Sequence, residues 1–196
     1  MECERGGRSL FCGLSFSLRA GELLRVAGAN GSGKTSLLRI LCGLLTPTAG
    51  DVRWAGTPIA SLREEYSRRL VYIGHAPALK DDLTATENLA IAGGIAGNDA
   101  DQASIRAALA QFGLAGTAFP LRKFSQGQRR RAALARLVLS ASVPLWLLDE
   151  PFSALDAAAV RLVEGLIAAH VARGGSVAYA THQEAAIGAT RVVELG

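Results

Sequence analysis

The sequence contains no long uninterrupted apolar run. Its most apolar stretch, Leu89–Gly97, is interrupted by Gly93 and Gly94 and falls well short of the ~18 residues that a membrane-spanning helix needs. The opening residues, MECERGGRSL, contain no apolar segment of signal-peptide length. Any role at a membrane is therefore expected to act through a partner protein.

Strong charge of one sign is also missing. The 196 residues carry a formal net charge of +4, and the basic residues are scattered except for the trio Arg129, Arg130 and Arg131. A nucleic-acid surface would need a basic stripe with interleaved aromatic residues, so no nucleic-acid partner is expected. We interpret the arginine trio as the solvated face of a helix.

Cysteine is scarce as well. The three cysteines, Cys3, Cys12 and Cys42, have neither metal-ligand nor redox-pair spacing. They are expected to be free thiols that pack as small side chains.

Short apolar segments are what the sequence does have. Four of them are apolar on both faces, as buried strands of a parallel sheet are: Leu23–Ala27, Leu70–Gly74, Val143–Asp149 and Ser176–His182. An apolar stripe at helical spacing predicts a helix over Ala157–Ala172, between the last two strands. The sequence therefore predicts a βαβ unit within a parallel α/β core.

The middle of the chain has helical periodicity instead. Helices are predicted over Ala85–Ile91, Ile105–Phe112 and Gln126–Leu139, separated by glycine-rich turns such as GGIAGND. The first twenty residues and DVRWAGTPIA predict short strands of an antiparallel edge. We therefore expect a single α/β domain over residues 1–196, with a core of residues 1–76 and 143–196 and a helical subdomain of about residues 77–142.

The motif GANGSGKT follows a predicted strand and precedes a predicted helix, which is the context of a phosphate-binding loop. Glycines let backbone N–H groups turn toward phosphate oxygens, and the helix N-terminus adds its dipole. Lys34 is expected to reach the β- and γ-phosphates, and the Thr35 hydroxyl to bind Mg²⁺. The predicted nucleotide-binding residues of this loop are Gly28, Ala29, Asn30, Gly31, Ser32, Gly33, Lys34, Thr35 and Ser36.

A second motif, LWLLDE, supplies carboxylates. Asp149 ends an apolar strand, so it is expected at the carboxyl edge of the sheet, where it can face the Mg²⁺. Glu150 follows directly and can orient and deprotonate an attacking water. This favours an ATP hydrolase over a kinase, which would have to position an acceptor group instead.

A third motif, FSQGQ, predicts another anion site. Ser125 can cap a helix, and Gly127 allows a close backbone approach to a ligand. Because one chain has one triphosphate to bind, this second site suggests a triphosphate presented by another copy of the chain.

These motifs together resemble the ABC ATPase family. GANGSGKT is similar to its Walker A loop, FSQGQ to its signature, LWLLDE to Walker B, and SALD at Ser153–Asp156 to its D-loop, while His182 in ATHQ matches its switch histidine. The resemblance implies ATP and Mg²⁺ as cofactors and a head-to-tail dimer that holds each ATP between two copies. It also implies roles for Glu150, His182 and Lys34 in catalysis, and for Ser125, Gly127, Gln128 and Asp156 at the partner's nucleotide.

Three positions depart from the family pattern. Gln126 replaces the first glycine of the signature, and His75 stands in place of the Q-loop glutamine. We interpret His75 as a residue that transmits movement to a partner and not as a metal contact. No aromatic residue stands where the family usually stacks adenine, and Arg5, which lies near that place, either stacks through its guanidinium plane or is solvated.

Among ABC ATPases, the sequence resembles the ATP-binding subunits of bacterial cytochrome c maturation systems. The features that carry this resemblance are the single short cassette, YIGHAPALKDDLTATENL, LDEPFSALD and ATHQ. It implies a peripheral subunit on the cytoplasmic side of the inner membrane, bound to an integral membrane subunit, with haem handled only through partners. The alternatives are the ATPase of an exporter for another substrate and a non-transport ABC ATPase.

Overall fold

The computed structural model describes residues 1–97, 99–182 and 187–196. Asn98, within the GGIAGND stretch, and Gln183, the last residue of ATHQ, lie outside the described residues. The strands are β1 Cys3–Arg5, β2 Arg8–Phe11, β3 Leu23–Gly28, β4 Arg53–Trp54, β5 Thr57–Pro58, β6 Leu70–Ile73, β7 Leu145–Asp149, β8 Ser176–Ala180 and β9 Arg191–Leu195. The helices are α1 Lys34–Leu41, α2 Ile59–Ser67, α3 Ala85–Ala96, α4 Gln102–Gln111, α5 Gln126–Leu134, α6 Arg136–Leu139 and α7 Ala157–Ala172, with a 3₁₀ turn at Leu121–Lys123.

A five-stranded parallel sheet forms the centre of the fold, in the order β6-β7-β8-β3-β9. The four predicted apolar segments form β3, β6, β7 and β8, and α7 has the predicted bounds. The edge strand β9 was not predicted. Its residues alternate between partly buried and exposed, so RVVEL lacks the continuous apolar character of the inner strands.

The predicted antiparallel strands are present, but they form two separate two-stranded sheets. Strand β1 pairs with β2, and β4 pairs with β5. Residues 59 and 60 of the predicted strand-and-turn segment instead begin α2, directly after Pro58, which is the N-cap of this helix. A proline at this boundary fits a helix start because the first helical N–H groups have no intrahelical partner.

The main hydrophobic core lies between the sheet and α1. Leu37 and Leu38 of α1 are fully buried against alternate residues of the inner strands, including Leu145 and Leu147 of β7. Successive strand residues point to opposite faces, so Asp149 shares the face of Leu145 and Leu147. The sheet register therefore directs the last residue of β7 toward the side that carries the phosphate-loop helix.

Two compact units make up the chain. One comprises Met1–His75, Val143–Pro151 and His170–Gly196, and the other comprises Ala76–Ser142 and Phe152–Ala169. The second unit contains α3 to α6 and the first part of α7, with its own buried apolar side chains: Leu89, Ile105, Leu109, Phe112, Leu121, Leu134 and Leu137. In the described parts of the chain, no helix has the length and apolar character to cross a bilayer.

All three predicted helices of this second unit have different bounds in the structure, and α4 begins at Gln102, three residues before its predicted start. Helix α3 continues through Gly93 and Gly94 to Ala96, although these glycines were predicted to begin a turn. A capping box between Thr84 and Glu87 starts α3, and Gly97 ends it with a left-handed φ of 68°. The predicted helix Gln126–Leu139 is divided at Ala135 into α5 and α6.

The arginine trio is not a solvated helix face, so that interpretation was wrong. Arg130 is 2% exposed, and Arg129 and Arg131 are partly buried. The Arg131 guanidinium donates to the Phe112 carbonyl at 3.3 Å. Three consecutive residues span about 200° around an α-helix, so they cannot share one face.

Candidate functional site

The phosphate loop runs close to the end of β9. A Cβ on Gly28, whose φ is 143°, would clash with the Leu195 carbonyl and with the Ser32 hydroxyl. Gly33, with a φ of 104°, is the N-cap of α1, and a Cβ there would lie 3.1 Å from Leu10. Both positions therefore require glycine for backbone conformation and for packing.

Lys34 lies at the start of α1 and is only 8% exposed. Its ammonium donates to the carbonyls of Gly28 at 2.7 Å and Ala29 at 2.9 Å, so the side chain folds back over its own loop. The hydroxyl of Thr35 lies one residue further along the same first turn. The Lys34 ammonium and the Thr35 hydroxyl, both predicted from the sequence, thus lie at the N-terminus of one helix.

Two features of the loop provide hydrogen-bond donors for an anion. Within the described residues, no side chain caps the N-terminus of α1, so its first N–H groups face the loop. The Ser32 hydroxyl is buried and has no hydrogen-bond partner there. Unpaired donors at a helix N-terminus are the chemistry that binds phosphate oxygens. The other predicted loop residues divide by burial, with Asn30 and Gly31 exposed and Ser36 buried.

Asp149 ends β7 and is 1% exposed. It lies on the α1 face of the sheet, where the register places it beside Ala180 of β8. Its predicted role, as a carboxylate directed toward a cation at the phosphate loop, stays a prediction.

Glu150 and His182 form a pair that the sequence did not predict as a contact. The histidine Nδ1 lies 2.9 Å from Glu150 Oε2, and the His182 backbone N–H donates to the same oxygen at 3.4 Å. Glu150 has a left-handed φ of 50°, and its backbone N–H donates to the Ala180 carbonyl at 2.8 Å. In this unusual conformation the Glu150 backbone is hydrogen-bonded to β8 while the Glu150 side chain contacts His182.

Tyr72 and Arg39 connect the end of β6 with α1, and neither was singled out from the sequence. Burial raises the pKa of Tyr72 above its ordinary value, and the nearby Arg39 guanidinium opposes that shift. A Cβ on Gly74 would lie 3.2 Å from the Tyr72 hydroxyl. The exposed His75 thus follows a glycine that packs on this tyrosine.

The signature motif lies in the second unit. Ser125 is the N-cap of α5, as predicted, and its hydroxyl accepts a hydrogen bond from the Gln128 backbone N–H at 3.2 Å. Gln128 Oε1 accepts from the Ser125 backbone N–H at 2.9 Å, which completes a capping box. Because the Ser125 oxygen is the acceptor, its hydroxyl proton can still be donated to an anion. Gln126 is exposed at the first helical position.

The D-loop packs against the signature glycine of the same chain. A Cβ on Gly127 would lie 2.9 Å from the carbonyl oxygen of Ala154, which has a left-handed φ of 57°. Asp156 Oδ1 accepts from the Ala159 backbone N–H at 2.8 Å at the start of α7. Gly127 is therefore needed for a contact inside the chain, beyond the predicted close approach to a ligand.

We expect Gly127→Ala to lower ATPase activity because the new methyl group must displace the Ala154 carbonyl or the start of α5. Adding Ala154→Gly should recover part of the activity, since glycine permits the carbonyl to rotate away. Gly165→Ala is the matched control, because a Cβ there meets open space within α7 and should stabilise the helix by about 0.5–1 kcal/mol. Steady-state ATPase rates and thermal midpoints check this prediction, and unaltered activity in Gly127→Ala would contradict it.

Comparison with known protein families places these motifs in one group. Residues 11–153 match the family described as ABC transporter. A Cytochrome c biogenesis ATP-binding export protein CcmA from Nitrosospira multiformis is 49% identical over 196 residues, covering 100% of this chain and 95% of that protein. The CcmA protein of Aromatoleum aromaticum is 54% identical over 186 residues, covering 94% and 87% of the two chains.

Solved structures agree on the fold. An ATP-binding subunit of an ABC transporter aligns with a TM-score of 0.80 at 27% identity, covering 92% of this chain and 76% of that one. An ATP-binding cassette in a dimeric post-hydrolysis state with ADP and Pi aligns with a TM-score of 0.85 at 23% identity, covering 99% and 90%.

Proposed function

We infer that this chain, which belongs to the ABC transporter family, is the ATP-hydrolysing subunit of a transporter in c-type cytochrome biogenesis. The observation that carries the ATPase assignment is the Glu150–His182 pair, which directly follows the buried Asp149 at the carboxyl edge of the sheet. The assignment to cytochrome c biogenesis rests on the CcmA relatives, which match almost the whole chain.

The residues present fit a bound Mg²⁺. The buried carboxylate of Asp149 lies on the face of the sheet that packs against α1, and the hydroxyl of Thr35 lies at the N-terminus of that helix. Oxygen ligands of this kind, together with phosphate oxygens and water, are what Mg²⁺ prefers. Bound there by Thr35 and Asp149, the ion would neutralise negative charge on the β- and γ-phosphates.

Lys34, Glu150 and His182 have different roles in the hydrolysis reaction. The N-terminal amides of α1 and the Lys34 ammonium, which lies over the loop, hold the phosphates. Glu150 accepts a proton from water as the water oxygen attacks the γ-phosphorus and ADP leaves. His182 keeps the Glu150 carboxylate in one orientation through Nδ1.

A second copy of the chain completes each site. Ser125 keeps a hydroxyl proton for an external anion, and it lies in the unit that contains neither the phosphate loop nor Glu150. We therefore assign Ser125, Gly127 and Gln128 to the γ-phosphate held by the partner copy in a head-to-tail dimer. Asp156 belongs to the same face because the D-loop packs on Gly127.

The partner of this ATPase is expected to be an integral membrane subunit. An integral membrane subunit would receive movement through the segment that begins at the exposed His75, and the chain would sit peripherally on the cytoplasmic side of the inner membrane. Haem would be handled by partner proteins. The CcmA relatives, at 48–54% identity, favour this role over an exporter of another substrate or a non-transport ABC ATPase.

The test is made in cells whose only copy carries Lys34→Ala. Covalently bound haem in c-type cytochromes should be lost while b-type haem proteins keep theirs, because only the c-type pathway depends on this ATPase. Lys123→Ala, an exposed lysine outside the phosphate loop, is the control and should retain normal c-type haem. Normal c-type haem in Lys34→Ala cells, with the variant protein present, would overturn the cytochrome c assignment.

A further inference from the structure

The segment Lys80–Leu83, which continues the chain a few residues after His75, is joined to the region around the signature by four polar contacts. The Leu121 backbone N–H donates to the Leu83 carbonyl at 2.9 Å, and that of Arg122 donates to the Asp81 carbonyl at 2.9 Å. Arg129 Nη1 donates to Asp81 Oδ1 at 2.6 Å, and Arg122 Nη1 donates to Asp82 Oδ1 at 2.6 Å. We call this arrangement, Lys80–Leu83 with Leu121, Arg122 and Arg129, the clasp.

The other side of the same segment is held by Asn88 of α3. Asn88 is 6% exposed, and its Oδ1 accepts from the Lys80 backbone N–H at 2.7 Å. Its Nδ2 donates to the carbonyls of Lys80 at 3.0 Å and Thr84 at 2.9 Å. A buried amide with this many backbone partners fixes the path of the chain. Lys80–Leu83 therefore has one defined position between α3 and the signature region.

Arg129 links the clasp directly to the signature serine. Its backbone N–H donates to the Ser125 carbonyl at 2.9 Å, while its guanidinium pairs with Asp81. One residue thus joins the first turn of α5 to the segment that follows His75. A displacement of Asp81 would be passed to the N-terminus of α5, where the Ser125 hydroxyl lies.

The two ion pairs of the clasp differ in exposure. The side chains of Arg129 and Asp81 are 29% and 57% exposed, whereas those of Arg122 and Asp82 are 58% and 85% exposed. Exposed pairs contribute little to stability, so the outer pair is expected to matter little. The less exposed pair, Arg129–Asp81, includes a residue of the signature helix α5. Its expected effect is on the position of that helix, because catalysis is sensitive to small misplacements.

We propose that Asp81 and Arg129 are positioning residues for the signature serine, and that they couple the orientation of α5 to the segment following His75. The inference rests on the proposed function, in which Ser125 contacts the ATP of a partner copy. It assigns a positioning role to Arg129, the member of the arginine trio that pairs with Asp81. The Arg129 side chain acts through Asp81 and through the backbone of α5.

The experiment compares full-length variants with three readouts: ATPase kcat and KM, the affinity for a fluorescent ADP analogue, and ATP-dependent dimerisation in the Glu150→Gln background. Arg129→Ala and Asp81→Ala should each lower kcat and weaken the dimer by about tenfold, since the signature serine is misplaced. ADP affinity should stay the same, because ADP binds the phosphate loop in the other unit. Arg122→Ala is the matched control and should leave all three readouts near wild-type values.

A charge swap separates positioning from a loss of folding. The double variant Asp81→Arg with Arg129→Asp should recover most of the kcat and the dimer, and Arg129→Lys should recover part of both. Wild-type kcat in Arg129→Ala, a parallel fall in ADP affinity, or a folded swap variant no better than the single variants would overturn the inference. A wild-type chain that neither hydrolyses ATP nor dimerises with it would overturn the proposed function, and the inference would fall with it.

Discussion

Replacing Glu150 with glutamine is expected to lower ATP turnover by a factor of about 10² to 10⁴, the range for loss of a general base. Glutamine has nearly the same shape but cannot accept the proton of the attacking water. ATP binding should persist, because the phosphate loop and Asp149 are unchanged. The two chains should therefore stay joined around unhydrolysed ATP as a stable dimer.

Single-turnover hydrolysis and sedimentation with Mg²⁺ and ATP measure both parts of this prediction. Glu65→Gln is the matched control, since that carboxylate is exposed in α2 and pairs only with Arg69 among the ion pairs of the described residues. Its turnover should equal that of the wild type. If Glu150→Gln also hydrolyses ATP at the wild-type rate, another group deprotonates the water, and the assignment of Glu150 is wrong.

His182 gives a second approach to the same carboxylate. Its Nδ1 and backbone N–H both contact Glu150 Oε2, so the Glu150 carboxylate is oriented from one side by one residue. The backbone contact survives any substitution at 182. The ATPase defect of a His182 variant is therefore expected to be smaller than that of Glu150→Gln, because the proton acceptor itself remains.

Replacing Lys34 with alanine is expected to weaken ATP binding by about 10- to 150-fold, the effect of losing a charge-assisted contact of about 1.5–3 kcal/mol to phosphate. The Lys34 ammonium also bridges the carbonyls of Gly28 and Ala29, so its removal is expected to loosen the loop. Both effects act in the same direction on nucleotide affinity.

Equilibrium titration with a fluorescent ATP analogue measures the affinity, and thermal unfolding without nucleotide reports the effect on the loop. Lys123→Ala should bind nucleotide as the wild type does, because Lys123 is exposed in the 3₁₀ turn of the other unit. Undiminished affinity in Lys34→Ala would mean that the loop does not hold the triphosphate as we infer.

The glycine loop and the acidic strand end could be found from sequence because both are local patterns. Gly28–Thr35 combines special backbone conformations with a helix start, and Asp149 ends a continuous apolar run. The serine cap at Ser125 was also predictable, since a capping box depends only on residues within one helical turn. The placement of these motifs on strand ends and helix starts needed no distant contact.

Contacts between distant segments could not be read in this way. Glu150 and His182 are 32 positions apart, and their pairing depends on β7 and β8 being neighbours in the sheet. Arg129 and Asp81 are 48 positions apart, so the arginine trio could only be judged as three adjacent charges on a helix. The burial of Arg130 could not be predicted from the neighbouring residues of the sequence either.

Local sequence patterns were sufficient to predict the parallel α/β core, the phosphate loop, the two adjacent carboxylates and the capped signature helix. Each of these follows from backbone conformation or hydrophobic periodicity over a few residues. The tertiary structure was needed to find that β9 pairs with β3, that His182 contacts Glu150, and that Asp81 forms an ion pair with Arg129 of the signature helix. Those outcomes depend on which segments pack together, and that is set by burial over the whole chain and not by any one stretch of it.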